Sequence, residues 1–305
     1  MYVTSDPRAA LKKTEAEGTV QAPVAPAFHT TFDETAPSDQ SKGTQTWYAR
    51  AQNFVVAYVV AQDNSEIHRI DQPDEYAVLL PDMDTRISVE WNGTRTEITG
   101  NHVVFIPAGN STITILKGGQ VICFCSNKTT DIIARCDALL PPHVADKNVP
   151  ELAPWPDPVG GFKVRSYSLE VEPVEGRFGR IFRCTNFMIN VIYPRTGPRD
   201  RTQLSPHKHA GFQQCSLCLA GTYVHHLRWP WETDANLWRE DEHVVCDGPS
   251  VTIIPAGALH TSECIGAGIN RLVDVFCPPR VDFSAQDGWV LNAADYPKPV
   301  ELQAK

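Results

Sequence analysis

The chain has no surplus of positive charge: 27 lysines and arginines stand against 36 aspartates and glutamates, a formal net charge of −9. No Lys/Arg-rich stripe breaks that balance, so nucleic acid is not an expected partner. Long hydrophobic runs are missing as well. No stretch approaches the roughly 20 apolar residues that cross a bilayer, and the N-terminal MYVTSDPRAALKKTEAEG lacks the apolar core of a leader. No membrane partner is expected. Cys215 and Cys218 have a C-x-x-C spacing but no second such pair, which argues against a zinc ribbon. The nine cysteines are odd in number and sit mostly in apolar runs such as VICFCS and QQCSLCLAG, the context of small buried hydrophobes. A cytoplasmic protein with reduced thiols is the expectation.

Helical periodicity is also scarce, and what replaces it is β signal. From Trp47 onward come FVVAYVV, EYAVLLP, RISVEW, HVVFIP, STITIL and VICFC, broken by NG, GG, PD and PAG turns. A second series follows: KVRSYSLEVE, RIFRCTNFMINVIYP, FQQCSLCLAG, TYVHHLRW, SVTIIP and RLVDVFC. Residues 1–45, rich in Ala, Pro, Thr, Ser and Glu, read as a poorly ordered arm that orders only against another surface. The Pro-rich stretch 137–165 reads as a linker between all-β domains at 46–136 and 166–285, with 286–305 as a tail.

The chain repeats itself. GNHVVFIPAG, starting at Gly100, aligns without a gap to GPSVTIIPAG, starting at Gly248, an offset of 148 residues. VICFCSN aligns with VDVFCPP, which sets Cys125 opposite Cys277. The domains are a tandem duplication.

Only the second copy carries a full set of metal donors. His207 and His209 alternate on one strand face, so both imidazoles reach one ion; Gln214 and, after a Pro-x-Gly turn, His260 complete a cage. Iron is the expected ion, and nickel, manganese, zinc and copper suit the same donors. In the first copy His68 precedes Glu75 by the seven residues that separate His207 from Gln214, while Ile70 and Thr112 stand where His209 and His260 would be. That copy is expected to be a scaffold without a metal.

These motifs resemble those of the cupin superfamily in its two-domain, or bicupin, arrangement. The form G-x5-HxH-x3,4-E-x6-G is matched by His207, His209, Gln214 and Gly221, and the form G-x5-PxG-x2-H-x3-N by Gly248, Pro255, Gly257 and His260. Gln214 replaces the usual Glu, one extra residue precedes Pro255, and the closing Asn is absent. The resemblance implies an all-β fold of tandem double-stranded β-helices, or jelly rolls. The run RLVDVFCPPRVDF further resembles the closing strand of small single-domain cupins, with a tail like LDVFSPPREDF, that also place Gln at the Glu position; enzymes that open unsaturated uronate rings are among them. That resemblance implies an acid at Asp274, a ring-packing residue at Phe276 and a substrate-binding base at Arg280.

Three imidazoles and an amide leave a divalent ion's charge uncompensated, which favours an anionic or enolisable chelator and moves proton transfer to another acid, for which Asp274 is the candidate. Strand parity from Gln214 puts Ser216, Cys218 and Ala220 inside the barrel and Cys215, Leu217 and Leu219 outside; Phe212 and Trp229 are candidates for the pocket rim. The functional expectation is a non-haem metal dioxygenase on a small hydroxylated acid or diketone. A metal-assisted isomerase, lyase or ring-opening enzyme on a sugar acid is the alternative, and a non-catalytic ligand-binding cupin comes third. A homodimer is expected, because open sheet edges need cover.

Overall fold

The computed structural model describes residues 6–11 and 22–300. Antiparallel strands dominate, organised as two double-layered barrels. In the first, the large layer runs Arg165–Ser168, His102–Ile106, Tyr76–Leu80, Gly119–Ser126, Phe54–Ala61, Thr44–Arg50 and Asp39–Ser41. Its small layer runs Glu66–Gln72, Gly109–Lys117, Arg86–Trp91 and Thr94–Thr99. In the second, the large layer includes Phe28–Thr31, Ser250–Ile254, Gln214–Ala220, Ile269–Phe276, Met188–Ile192 and Gly179–Arg183. Glu242–Asp247, Thr222–Arg228 and Leu259–Cys264 form its small layer. The all-β jelly-roll expectation holds.

Period-two alternation sets what each strand buries. In Gln214–Ala220, Cys215, Leu217 and Leu219 turn outward into a core shared with Phe54, Val56, Leu79, Phe105 and Phe124 of the first barrel. Gln214, Ser216 and Cys218 turn inward. The large layers therefore pack back to back over one apolar seam. Cys215 and Cys218 face opposite sides, and all nine cysteines are buried and free.

The barrels also exchange strands. Phe28–Thr31, from the stretch read as a poorly ordered arm, pairs with Ser250–Ile254 of the second barrel, Thr31 opposite Ser250. Arg165–Ser168, at the end of the linker, pairs with His102–Ile106 of the first, Ser168 opposite His102. Since 102 and 250 differ by the repeat offset, the two exchanges are equivalent. The next residues match too: Phe32 N–H donates to the Pro249 carbonyl and Leu169 N–H to that of Asn101, and both side chains enter the shared core. Boundaries at 46 and 166 cut across this exchange. The arm's order was hidden because its partner strand lies more than 200 residues away; arm residues 12–21 and tail residues 301–305 lie outside the described part.

Strand register corrects the repeat alignment. Gln214 pairs with Ile254 and Phe276; Tyr76 pairs with Ile106, and continuing the Val78–Cys123 register sets it beside Cys125. Tyr76, not Glu75, thus holds the Gln214 place, and Cys125 matches Phe276, one residue before Cys277. Glu75 lies in the seam, accepting from Thr185 N–H and Oγ1 at 3.0 Å each and from Tyr296 Oη at 2.7 Å. His68 is on the outer face, bonded to Thr112 at 3.2 Å and paired with Glu66. Neither is a relic ligand inside the barrel.

Candidate metal centre

The second barrel converges three imidazoles. The ligating atoms of His207, His209 and His260 lie within 4.8 Å of one another. Backbone pairing brings them together: His207 N–H donates to the His260 carbonyl at 3.0 Å, and His260 N–H to that of His207 at 2.8 Å. Gly257 closes the Pro-Ala-Gly turn at φ 91°, a conformation glycine adopts without steric cost, and its N–H reaches the His209 carbonyl at 2.6 Å. Linker residue Asp146 braces this turn from the seam, accepting from Ala256 N–H at 3.0 Å.

The rings are aimed as ligands. His207 Nδ1 lies 2.8 Å from the Ser205 carbonyl and His260 Nδ1 3.0 Å from that of Ala258, so each Nδ1–H donates to backbone and each Nε2 keeps its lone pair. Burial keeps all three imidazoles neutral at ordinary pH, His260 down to about 4 and the others well below the usual histidine range. His260 Nε2 is buried and has no hydrogen-bond partner among the described residues. Such an orphaned acceptor is what a metal ligand looks like before the ion is added.

Gln214 stands beside the three histidines. Its Oε1 lies 3.1 Å from His209 Nε2, while its Nε2 donates to Asp274 Oδ1 and Ser216 Oγ at 3.0 Å each. Ser216 Oγ donates to the same Asp274 oxygen at 2.8 Å. The carboxylate therefore fixes the amide with its oxygen toward the histidines. Burial raises Asp274 to about 6, opposed by the Ser216 hydrogen bond and the charges of Arg8 and Arg280. Three neutral imidazole nitrogens of borderline softness, with a neutral amide oxygen at hand, fit a first-row divalent ion.

A cavity of about 780 Å³ reaches this cage, with His207, His260, Gln214 and Asp274 on its wall. Its remaining walls include Arg8, Arg195, Arg199, Asp6, Asp200 and Tyr223. The other expected pocket residues are elsewhere. Phe212 stacks on His209 at 4.8 Å and Phe276 meets the same ring edge-on at 6.1 Å, closing the cage from behind. Arg280 is enclosed there too, its guanidinium carbon 3.7 Å from the Phe283 centroid and its Nε 3.0 Å from Asp282. It points Nη1 at His209, 3.4 Å away, and does not line the cavity. Ser216 and Cys218 face inward without reaching the cavity wall: Ser216 is used by Asp274, and Cys218 packs with Tyr223 and Leu272. Arg280, Phe212, Phe276, Ser216 and Cys218 thus support the site instead of meeting a ligand in this cavity. Parity found the interior face but not how far along it the open space extends.

The arginines were missed. Arg8 belongs to the short segment Asp6–Leu11, held to the mouth by Ser205 Oγ donating to Asp6 at 2.7 Å and by the Arg8 guanidinium over Phe178 at 4.8 Å. Composition gives no sign that so polar a segment docks. His225 is inside the barrel, bonded to Ser262 at 2.9 Å, whereas His226 faces out toward His243 and Glu263. Trp229 packs in the core of the same barrel with Leu227 and Ile254.

No family model matches the chain, and no curated protein matches it significantly in sequence. Solved structures match in fold. The oxalate decarboxylase of Lactobacillus farciminis, solved as a formate complex, gives a TM-score of 0.56 at 14% identity, over 86% of this chain and 88% of that one. Oxalate decarboxylase of Bacillus subtilis gives 0.55 at 13% identity, over 86% and 79%. AerE from Microcystis aeruginosa gives 0.54 at 8% identity, over 80% and 96%. At such identities the likeness speaks for architecture. The chain has the two-domain cupin fold.

Proposed function

We propose that this protein is a metal-dependent enzyme acting on a small anionic chelator, with all the chemistry in the second barrel. One observation carries this reading: a cage of neutral donors opens into a cavity where a buried carboxylate, Asp274, sits beside the cage. Arg8, Arg195 and Arg199 balance Asp6, Asp200 and Asp274 in formal charge, so the full charge of a divalent ion held by neutral ligands tips the cavity positive. An acid bearing a carboxylate next to a hydroxyl or carbonyl fits such a site.

Sequence alone put a dioxygenase first; the geometry shifts weight to a lyase or isomerase. His207, His209, His260 and Gln214 would hold the ion, which supplies Lewis-acid polarisation of a bound oxygen. Asp274 would hold or move the proton at its free carboxylate oxygen, Oδ1 being occupied by Ser216 and Gln214. Arg195 and Arg199 would orient the substrate's carboxylate, and the segment at Asp6–Arg8 would limit water at the mouth. The fold neighbours named as oxalate decarboxylases act on a small dicarboxylate, in keeping with this reading. Gln214 in place of a carboxylate ligand favours the dioxygenase as a second reading, because an uncompensated ion attracts an enolate.

The test is elemental analysis of protein purified without added metal, then assay of small hydroxy- and oxo-acids with and without oxygen. Anaerobic turnover supports the lyase or isomerase, and strict oxygen consumption supports the dioxygenase. Absence of a stoichiometric transition metal ends both.

A further inference from the structure

Tyr223 lies on Thr222–Arg228, and its side chain enters the barrel beside His225, the two rings 15° from parallel with centroids 6.4 Å apart. That spacing matches one two-residue step along a strand, about 6.6 Å, so the rings stand side by side on the interior face. Across the ladder Leu227, His225 and Tyr223 face His260, Ser262 and Cys264 in turn. Tyr223 is therefore two such steps, about 13 Å along the strand, from the place of the His260 ligand. It borders the same cavity as His260, and so do its strand partner Cys264 and Arg195.

Two groups here lack partners. The Tyr223 hydroxyl makes no hydrogen bond among the described residues, and it is not sealed in: the residue keeps 6% exposure where it lines the cavity. Burial pushes the phenol above the usual tyrosine range, more than the nearby Arg195 charge lowers it, so it is a proton-bearing donor at any ordinary pH. Arg195 is exposed, and its guanidinium has neither an ion pair nor a hydrogen-bond partner among the described residues. Arg199 differs. Its Nη2 donates to the Gln203 carbonyl at 2.8 Å and to Ser205 Oγ at 3.0 Å, and its Nη1 to the Ser262 carbonyl at 3.3 Å. It adds charge to the wall, while Arg195 has its whole fork to offer. A guanidinium fork beside one neutral O–H suits the two oxygens of a carboxylate. Asp6 and Asp200 on the same wall disfavour a dianion such as phosphate.

We propose that Tyr223 Oη and Arg195 receive a second carboxylate of the substrate, several carbons from the end that chelates the ion. This rests on the metal-centre reading above and narrows its substrate class to diacids longer than oxalate. Strand register sets the length, because a diacid whose two carboxylates are adjacent does not span from the cage to a residue two steps along the barrel wall.

The experiment is calorimetric titration of the metal-loaded full chain with 2-oxoglutarate and 2-oxoadipate, and with the length-matched monoacids 2-oxopentanoate and 2-oxohexanoate. All four share one chelating head. Wild type should bind the diacids at least about tenfold more tightly than the monoacids, as for one hydrogen bond to a charged group. Tyr223→Phe should remove about tenfold of diacid affinity and leave the monoacids unchanged, and Arg195→Gln should remove as much or more. The diacid-to-monoacid ratio is a readout that a general loosening of the fold does not move. A ratio near one in wild type, or a ratio that neither variant changes, overturns the distal subsite and leaves the metal-centre reading standing. Binding of none of the four acids overturns that reading itself, and the subsite with it.

Discussion

The two barrels share a backbone plan down to the register of single residues, and differ in what fills them. Where the second has Gln214, Ser216 and Cys218, the first has Tyr76, Val78 and Leu80; where the second has Asp274 and Phe276, the first has Cys123 and Cys125. The first interior is a continuous apolar core that includes Val55, Ile87, Val89, Ile106, Ile113 and Val121. Its Tyr76 hydroxyl is used up by Ser111 at 2.9 Å. In the second, Gln214 and Asp274, hydrogen-bonded to each other and to Ser216 behind them, line space instead of filling it. A duplicated fold can thus divide its labour: one copy packed for stability, the other left polar, hollow and dependent on every buried donor being satisfied.

The largest expected effect breaks or keeps this division directly. Wild type should carry one transition-metal ion per chain, and His260→Ala should lose it. Disturbing groups that merely orient a ligand costs about 10–100-fold in affinity, and removing a ligand should exceed that. Elemental analysis after dialysis reads the result. Two ions per chain, or an ion retained by His260→Ala, would mean that the first barrel binds metal and the comparison fails.

Next comes Asp274→Asn. The amide keeps the shape, and its oxygen can still accept from Gln214 and Ser216, so metal content should hold. Turnover should fall by about 10²–10⁴, the range of a lost general acid or base. Loss of metal with turnover per bound ion unchanged would reduce Asp274 to a brace for Gln214. The first barrel has Cys123 at this place, buried beyond the reach of any substrate, and Cys123→Ser should leave turnover alone.

Equivalent truncations then weigh the fillings. Leu80→Ala opens a hole in a solid core and should cost about 2–5 kcal/mol in urea unfolding. Cys218→Ala at the matching place removes only one sulfur from its packing with Tyr223 and Leu272 and should cost less, about 1–1.5 kcal/mol. Equal losses would show that the barrels are packed alike.

Much of this asymmetry was legible in the sequence, because it is written in short-range patterns. HxH at strand spacing, the PAG turns and the repeat of GNHVVFIPAG are local, and the backbone obeys them: the three histidines meet and the interior face is the one that parity assigned. Long-range matters were not legible. The exchange of Phe28–Thr31 depends on a partner at Ser250–Ile254, and the Arg8 contribution depends on a docked polar segment. A one-residue ambiguity, Glu75 against Tyr76, was settled only by register, and a single step reverses inside and outside. Arg280 followed family resemblance into a substrate role, but here its guanidinium is spent on Asp282 and a box of aromatic rings.

Glu75 and Gln213 give the smallest and most delicate test. They occupy equivalent outward places and brace the seam in opposite directions: Glu75 to Thr185 and Tyr296 of the second half, Gln213 to Gln52 N–H at 2.7 Å and to Asp146. Burial pushes the Glu75 carboxyl above the usual range, despite hydrogen bonds from Thr185 and Tyr296 that pull the other way. A raised folded value means that the protonated form is the better packed one. Its contribution is complete below the ordinary glutamic acid range and fades as pH climbs through the raised value. Gln213, neutral throughout, adds no such slope. Glu75→Gln should therefore make the first barrel's brace behave like the second's, with stability falling less than wild type as pH rises from the acid side. Thermal unfolding across that range compares the two, and parallel curves would show that Glu75 does not titrate against folding and that the braces already act alike.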